Sequence, residues 1–167
     1  MGIYHLAQMN IGRLRAPVDS AEVAEFVAFL DPINALADTA PGFVWRLQTE
    51  DGNATAVRVL DDDTLIVNMS VWESLDALAT FVYESRHRDV MRRRREWFHR
   101  MAEAYLVLWW IEAGHIPAVA EAEERLLHLR RHGPTAQAFT FKALHPAPDG
   151  SSAPGRGDND PWACPTR

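Results

Sequence analysis

The hydrophobic positions of this chain form short apolar runs, separated by segments in which they recur every three or four residues. The short runs predict β-strands, and the helical spacing predicts α-helices. The predicted strands are residues 3–11, 43–49, 64–72, 105–112 and 138–143, with a short extra strand at 56–60. The predicted helices are residues 19–37, with a kink or restart at Pro32, then 74–83, 86–104 and 117–132.

The order of these elements predicts an α+β fold of the ferredoxin-like type. The first part, β-α-β-β-α-α-β, is the split-βαβ arrangement, in which an antiparallel four-stranded sheet has helices on one face. A last helix and a fifth strand follow as a C-terminal addition. We expect one domain at residues 1–143 and a disordered tail at 144–167, because that segment is rich in proline and glycine.

The predicted strands are apolar on both faces, whereas a sheet covered on one side only usually has a polar outer face. The third strand carries Leu65, Val67 and Met69 on one face and Ile66 and Trp72 on the other. We therefore predict that the uncovered face meets a second copy of the chain. The expected assembly is a homodimer that forms a dimeric α/β barrel.

Composition narrows the classes of function. Among 167 residues, 17 are basic and 23 acidic, and this net charge of −6 argues against a general nucleic-acid-binding protein. The apolar run at 105–111 is too short to span a membrane, and no signal peptide is predicted. The one cysteine, Cys164, excludes an intrachain disulfide. We expect a cytoplasmic protein.

Polar residues interrupt the first and third strands at alternating positions, Gln8 and Asn10 in one and Asn68 and Ser70 in the other. These strands are central neighbours in a ferredoxin-like sheet, so the four side chains should form one hydrogen-bonding patch. A few placed polar groups between apolar walls are typical of a small-molecule site. The alternative is a set of mutually satisfied groups with a buried water.

The helix at 86–104 carries two polar residues, His87 and Arg94, on its predicted buried stripe. Arg94 is costly there unless it is paired. It therefore binds a substrate carboxylate or carbonyl, pairs with an acid elsewhere in the fold, or reaches solvent. His87, at the mouth of the predicted pocket, is either a general base, an axial haem ligand or a helix-terminal histidine bonded to backbone.

Large aromatic residues and a second histidine complete the candidate site. Trp97, Phe98 and Trp110 can stack on a planar ligand, with core packing as the alternative. His115 lies in a Gly-His-Ile-Pro turn, where it either serves function or bridges backbone groups. The spacing of histidines and acids gives no metal-binding pattern.

Seven short segments carry a family resemblance, and they are YHLAQ at 4–8, PGFVWR at 41–46, SVW at 70–72, WF at 97–98, LWW at 108–110, AGHIP at 113–117 and AFTF at 138–141. With them the chain resembles a bacterial domain-of-unknown-function family in the dimeric α/β-barrel superfamily, which includes antibiotic-biosynthesis monooxygenases. The resemblance covers residues 3–143. It implies a homodimer with a pocket, in a fold whose relatives include cofactor-free oxygenases, haem-binding proteins and isomerases.

Fold cannot choose among these activities, so three hypotheses stay open. The first is a binder or enzyme for an apolar or aromatic metabolite, with monooxygenase-like or proton-transfer chemistry and no required cofactor. His87 would be its base, Arg94 a clamp for enolate charge, and Asn68 or Gln8 an orienting donor. The second is haem binding through His87 or His115. The third is a non-catalytic dimeric interaction module.

Overall fold

The computed structural model describes residues 3–84 and 87–151. The strands are β1 (Tyr4–Arg13), β2 (Phe43–Arg46), β3 (Leu65–Trp72) and β4 (Leu106–Glu112). The helices are α1 (Ala24–Asp38), α2 (Leu75–Glu84), α3 (His87–Arg92), α4 (Arg94–Trp97) and α5 (Val119–His132), and a 3₁₀ turn at Ala21–Val23 leads into α1. Helix α1 runs through Pro32 without interruption.

The four strands form one antiparallel sheet in the order β2-β3-β1-β4. Strands β1 and β3 are the inner pair, and their register places Gln8 opposite Ser70 and Asn10 opposite Asn68. This is the strand order of a ferredoxin-like sheet. The predicted α+β class with a ferredoxin-like antiparallel sheet is therefore confirmed.

Successive side chains of a strand point to opposite faces of the sheet, so the sheet has two distinct sides. The α1 face, which carries Leu6 of β1 and Trp72 of β3, packs against helices α1 to α4 and against Phe139. The α5 face carries the odd-numbered residues of β1, and it packs against Ala122, Leu126 and Leu129 of α5. Trp109 and Trp110 point to opposite faces in this way, because Trp109 belongs to the α5 face and Trp110 to the α1 face.

The α5 face is fully covered within one chain, since Met9 and Trp109 are 0% exposed and Met69 is 1% exposed. Helix α5 covers one part of it, and the segment 47–60 covers the rest with buried Val59 and several partly buried apolar residues. The premise that one sheet face lacks cover is therefore wrong. The homodimeric barrel stays a prediction. The exposed apolar sheet face from which it was inferred is covered by the same chain.

The helix predicted at 86–104 is shorter, and Arg86 lies outside the described residues. Its described part is divided at Arg93 and ends at Trp97, after which Phe98 is extended (φ −121°, ψ 143°). The helix ends early because the chain after it pairs with β1. Strand β1 continues past Asn10, its last residue paired with β4, and its backbone groups beyond that point need hydrogen-bond partners. The segment 98–105 supplies these partners: His99 N–H donates to Arg13 O (2.8 Å), and Ile11 N–H donates to Tyr105 O (2.9 Å).

Two predicted strands are wrong. Residues 56–60 lie in a turn-rich segment that ends at Leu60 and Asp61, both in the left-handed region (φ 51° and 55°). At 138–143 only Phe139 pairs with β4, through two backbone hydrogen bonds of 2.9 Å with Leu108. A turn that pairs Thr140 with Ala143 interrupts the rest of that segment.

Packing continues beyond residue 143, where the tail was expected to begin. The indole Nε1 of Trp110 donates a hydrogen bond to the carbonyl of His145 (2.9 Å). Ala147 is only 3% exposed. Residues 152–167, which include Cys164 and most of the predicted tail, lie outside the described residues.

Candidate functional site

A cavity of about 110 Å³ lies between the α1 face of the sheet and helices α1, α3 and α4; we call it the site cavity. Its walls are mainly apolar and aromatic, from Phe26, Phe29, Leu30, Ile33, Ile66, Val90, Met91, Trp97 and Phe98. Its polar lining comes from strands β1 to β3, helices α1 and α4 and the segment 53–55, and comprises Asn10, Asn34, Arg46, Asn53, Thr55, Asn68 and Arg94. This composition is typical of a small-molecule site.

A smaller cavity of about 30 Å³ adjoins it beneath α2; we call it the side cavity. The two cavities share Ile33, Asn34, Arg46 and Asn68 in their walls. Gln8 and Ser70 line only the side cavity. Asn68 therefore stands where the two cavities meet.

The amide side chains of the inner strands form one hydrogen-bonded network. Gln8 Nε2 donates to Asn68 Oδ1 (2.6 Å) and to Ser70 Oγ (2.8 Å). Asn10 Nδ2 donates to Gln8 Oε1 (3.2 Å) and to Asn68 Oδ1 (3.3 Å). Trp72 Nε1 also donates to Ser70 Oγ, at 2.9 Å. The cross-strand register produces this network, because it sets Gln8 and Asn10 directly opposite their partners on β3.

Asn68 differs from its neighbours in that it faces open space. The structure describes every residue of β3, and within that strand Asn68 alone is exposed. Its Oδ1 accepts two hydrogen bonds, whereas its Nδ2 has no protein partner within residues 3–84 and 87–151. Asn68 thus has two amide N–H groups without a partner among the described residues, at the point where the two cavities meet.

Arg94 lines the same cavity near the end of β1, between two aromatic rings. Its guanidinium carbon is 4.9 Å from the centre of the Phe98 ring and 4.7 Å from that of Tyr105. Its Nη2 donates to the carbonyl of Ile11 (3.1 Å). Stacking of this kind holds a cation in place. The guanidinium is therefore fixed in position at the cavity wall.

Arg46, at the end of β2, joins three parts of the wall. Its Nε and Nη2 donate to the carboxylate of Asp38 at the end of α1 (2.7 and 3.2 Å), and its Nη1 donates to the carbonyl of Gly52 (2.7 Å). Its side chain is only 11% exposed. Arg46 thus anchors the segment that brings Asn53 and Thr55 to the cavity.

An ion-pair cluster joins α1 to α4 beside the site cavity. Arg93 donates to Glu25 (2.6 and 2.7 Å) and to Glu96 (2.8 and 2.9 Å), and its guanidinium carbon lies 5.0 Å from the centre of the Trp97 ring. Hydrogen bonds from Arg93 hold the pKa of both carboxyl groups below the ordinary range, and those bonds raise the pKa of Arg93. The cluster fixes the separation of the two helices that wall the cavity.

The structure brings most of the sequence-predicted site residues together. Asn10, Asn68, Arg94, Trp97 and Phe98 line the site cavity. Gln8 and Ser70 lie directly behind them in the side cavity. The site role of these residues stays a prediction.

Three predicted residues stand apart from this group. Trp110 packs against Phe139 (ring centres 6.3 Å apart) outside the cavity lining. His115 Nε2 lies 2.7 Å from Glu121 Oε2, at the start of α5. His87 opens α3, one turn before the cavity residue Met91, and its side chain lies outside the described part of the chain.

Sequence reasoning missed Asn34, Arg46, Asn53 and Thr55. A signal for Asn34 exists, because it follows Phe26 and Leu30 at intervals of four residues on the buried side of α1. A polar residue on such a stripe is the same signal that identified Arg94. Asn53 and Thr55 lie in an irregular segment, where periodicity gives no information.

Two features were searched for in the described residues: a metal-binding cluster of side chains and a membrane-spanning helix. Residues 3–84 and 87–151 contain no group of three or more histidine, cysteine, aspartate or glutamate side chains able to hold a metal ion. Among the helices of that same part of the chain, none has the length and apolar character needed to cross a membrane.

Residues 5–155 match the family described as Domain of unknown function (DUF3291), and the chain belongs to that family. This agrees with the family resemblance in the sequence. No curated protein matches the chain.

Three solved structures are similar to this chain at low identity. One is a variant of SnoaB, a cofactor-independent oxygenase from Streptomyces nogalater, with 17% identity, a TM-score of 0.41, and coverage of 69% of this chain and 97% of that one. A second is a putative antibiotic biosynthesis monooxygenase from Chloroflexus aurantiacus J-10-fl, with 13% identity, a TM-score of 0.42, and coverage of 69% and 98%. The third is NE2512, a protein of unknown function from Nitrosomonas europaea, with 14% identity, a TM-score of 0.42, and coverage of 70% and 97%.

Proposed function

We propose that this protein binds a small, largely apolar or aromatic molecule in the site cavity. One observation carries the proposal: Asn68 lines that cavity from the middle of an inner strand, and its amide N–H groups have no partner among the described residues. Gln8, Asn10 and Ser70 are buried, whereas Asn68 is exposed, so its donors are open to a molecule that enters the cavity. A bound molecule with one polar acceptor receives these hydrogen bonds.

The walls indicate the shape of the molecule. Phe26, Phe29, Trp97 and Phe98 surround the cavity, and aromatic rings favour planar, apolar partners. The rings of Phe26 and Phe98 already meet edge to face with centres 4.9 Å apart. These contacts support a cavity that keeps its form when the ligand leaves.

The catalytic form of the proposal is proton-transfer or monooxygenase-like chemistry without a required cofactor. Arg94 is its electrostatic clamp, because a fixed guanidinium at the wall stabilises negative charge that develops on a bound carbonyl. His87 is its base, since the described lining residues include neither a carboxylate nor an imidazole. The variants His87→Ala and Arg94→Ala test these roles, and each should lose turnover of a carbonyl substrate that the wild type converts. Unchanged turnover in both variants contradicts the two roles.

Native mass spectrometry of the freshly purified protein tests binding most directly. A retained mass with the wild type, lost under denaturing conditions, is the expected result, and the same spectrum reports whether the predicted homodimer forms. A matched pair of variants on α1 then locates the site. Leu30→Trp fills the cavity and should weaken binding of 1-tetralone, a bicyclic ketone, at least about tenfold. Leu36→Trp, on the exposed side of the same helix, should leave binding within about twofold.

The opposite pattern contradicts the proposal. Equal binding of 1-tetralone to the wild type and Leu30→Trp places the ligand elsewhere. The proposal is also wrong if the native mass spectrum shows no retained ligand and the protein binds no bicyclic compound, because the cavity is then not a binding site.

A further inference from the structure

Two side chains at the joined cavities have all of their acceptor capacity used by the protein. Ser70 Oγ accepts hydrogen bonds from Gln8 Nε2 (2.8 Å) and Trp72 Nε1 (2.9 Å). A hydroxyl has two lone pairs and one proton, so only the proton of Ser70 is left. Asn68 Oδ1 likewise accepts from Gln8 and Asn10 (2.6 and 3.3 Å), which leaves its two amide protons. Both residues therefore act as donors toward the cavities.

Gln8 is the residue common to both arrangements. It is only 2% exposed, and its Oε1 accepts the hydrogen bond of Asn10 at 3.2 Å. This bond fixes the orientation of the Gln8 amide, so that Nε2 points to Asn68 and to Ser70. Gln8 does not line the site cavity, and it acts on a ligand there only through its neighbours.

We propose that Gln8 is a positioning residue that leaves Asn68 and Ser70 with donors only, so that the ligand they bind is a carbonyl-bearing compound such as a ketone, a quinone or an enolate. This inference rests on the proposed function, since it names the class of molecule that the same cavity binds. Asn68 donates to the ligand oxygen in the site cavity. Ser70 donates into the side cavity, whose about 30 Å³ holds a single small acceptor.

Three probes with the same bicyclic skeleton read the polarity of the site. 1-Tetralone carries an acceptor, 1,2,3,4-tetrahydroquinoline carries a donor N–H, and tetralin carries neither. With the wild type we expect 1-tetralone to bind about tenfold more tightly than tetralin, and tetrahydroquinoline no more tightly than tetralin. Isothermal titration calorimetry on the full chain measures all three.

Gln8→Glu reverses the polarity without a change of size. A carboxylate at position 8 only accepts, so the Ser70 hydroxyl and the Asn68 Nδ2 turn toward it and Asn68 Oδ1 faces the cavity. The ketone preference should disappear, and tetrahydroquinoline should become the tightest of the three. Gln8→Met, which removes the polar group, should abolish the preference without inverting it, and it carries the test where Gln8→Glu does not fold. Gln137→Glu, at an exposed position, is the control for the charge change.

The outcomes separate this inference from the proposed function. A wild type that prefers tetrahydroquinoline, or a ketone preference that survives in both Gln8→Glu and Gln8→Met, overturns the role of Gln8 while binding in the cavity stands. A wild type that binds none of the three probes and retains no ligand overturns the proposed function, and the inference with it.

Discussion

The aromatic ring of Phe98 packs against the backbone of Gly12, so closely that a β-carbon on Gly12 would lie 2.5 Å from Phe98 Cδ1 and 3.2 Å from Arg94 Nη2. Gly12 is in β1, and Phe98 is the first extended residue after α4. The absence of a side chain at position 12 thus allows Phe98 to lie under Arg94. A wall of the site cavity depends on this contact.

Gly12→Ala is expected to lower the free energy of unfolding by about 1–3 kcal/mol, because the added methyl group overpacks the site. It should also weaken 1-tetralone binding, since Phe98 and Arg94 must both move. Urea unfolding and calorimetry measure the two effects. In a Phe98→Leu background the cost of Gly12→Ala should shrink, and an equal cost in both backgrounds contradicts the packing explanation.

The covering helix α5 depends on a carboxylate that bridges two partners. Glu121 Oε1 accepts a hydrogen bond from the buried Trp109 Nε1 (3.0 Å), and its Oε2 lies 2.7 Å from His115 Nε2. Glu121→Leu leaves a buried indole N–H without an acceptor, which costs about 1–3 kcal/mol of unfolding free energy. Glu121→Gln keeps an acceptor and should cost less than half as much.

The control for this helix is Glu124→Leu, an identical change at an exposed position one turn away. Its stability should stay within about 0.5 kcal/mol of the wild type. Chemical denaturation followed by tryptophan fluorescence compares all three variants. Equal losses from Glu121→Leu and Glu121→Gln are incompatible with a hydrogen bond to Trp109 as the cause.

The polar patch could be predicted from the sequence because strand alternation and strand order are local and topological rules. Gln8 and Asn10 share a face of β1, Asn68 and Ser70 share a face of β3, and the ferredoxin-like order makes the two strands neighbours. The helical stripe also identified Arg94 correctly as a residue inside the apolar region. Its partners, the rings of Phe98 and Tyr105, were not predicted.

The cover of the α5 face could not be predicted, because it depends on where irregular chain packs. Val59 is 0% exposed although it lies in a segment without regular secondary structure. The end of α4 at Trp97 is a similar case. Local helical spacing continues past that residue, but backbone pairing with Arg13 overrides it. The turn around His115 predicts either a functional or a structural histidine, and its contact with Glu121 depends on the packing of α5, which local sequence does not show.

The pH dependence of stability should include a contribution from Asp62. Hydrogen bonds from the hydroxyl and backbone N–H of Thr64, and then from Arg13, lower the pKa of the Asp62 carboxyl group from 3.8 to about 2. A depressed folded-state pKa stabilises the fold above the unfolded pKa, and this contribution is lost as the pH falls through the folded value. Asp62→Asn should therefore be less stable than the wild type near neutral pH, with a difference that declines below about pH 4 and vanishes only below about pH 2. Urea unfolding of both proteins across this range measures the difference, and a difference that stays constant from about pH 7 to below about pH 2 contradicts the role of Asp62.

Asn68→Asp isolates the donor at the centre of the site. The aspartate keeps the Oδ1 that accepts from both Gln8 Nε2 and Asn10 Nδ2, so the network between the strands survives. The group that faces the cavity changes from an N–H donor to a carboxylate oxygen, which repels a ligand carbonyl. We expect 1-tetralone affinity to fall at least about tenfold, while tetralin affinity changes by no more than about threefold. Asn53→Asp adds the same charge at the cavity wall and keeps the acceptor for Thr55 (2.7 and 3.0 Å). It should retain the preference for the ketone, and an equal loss in both variants means that charge alone, and not the Asn68 donor, controls binding.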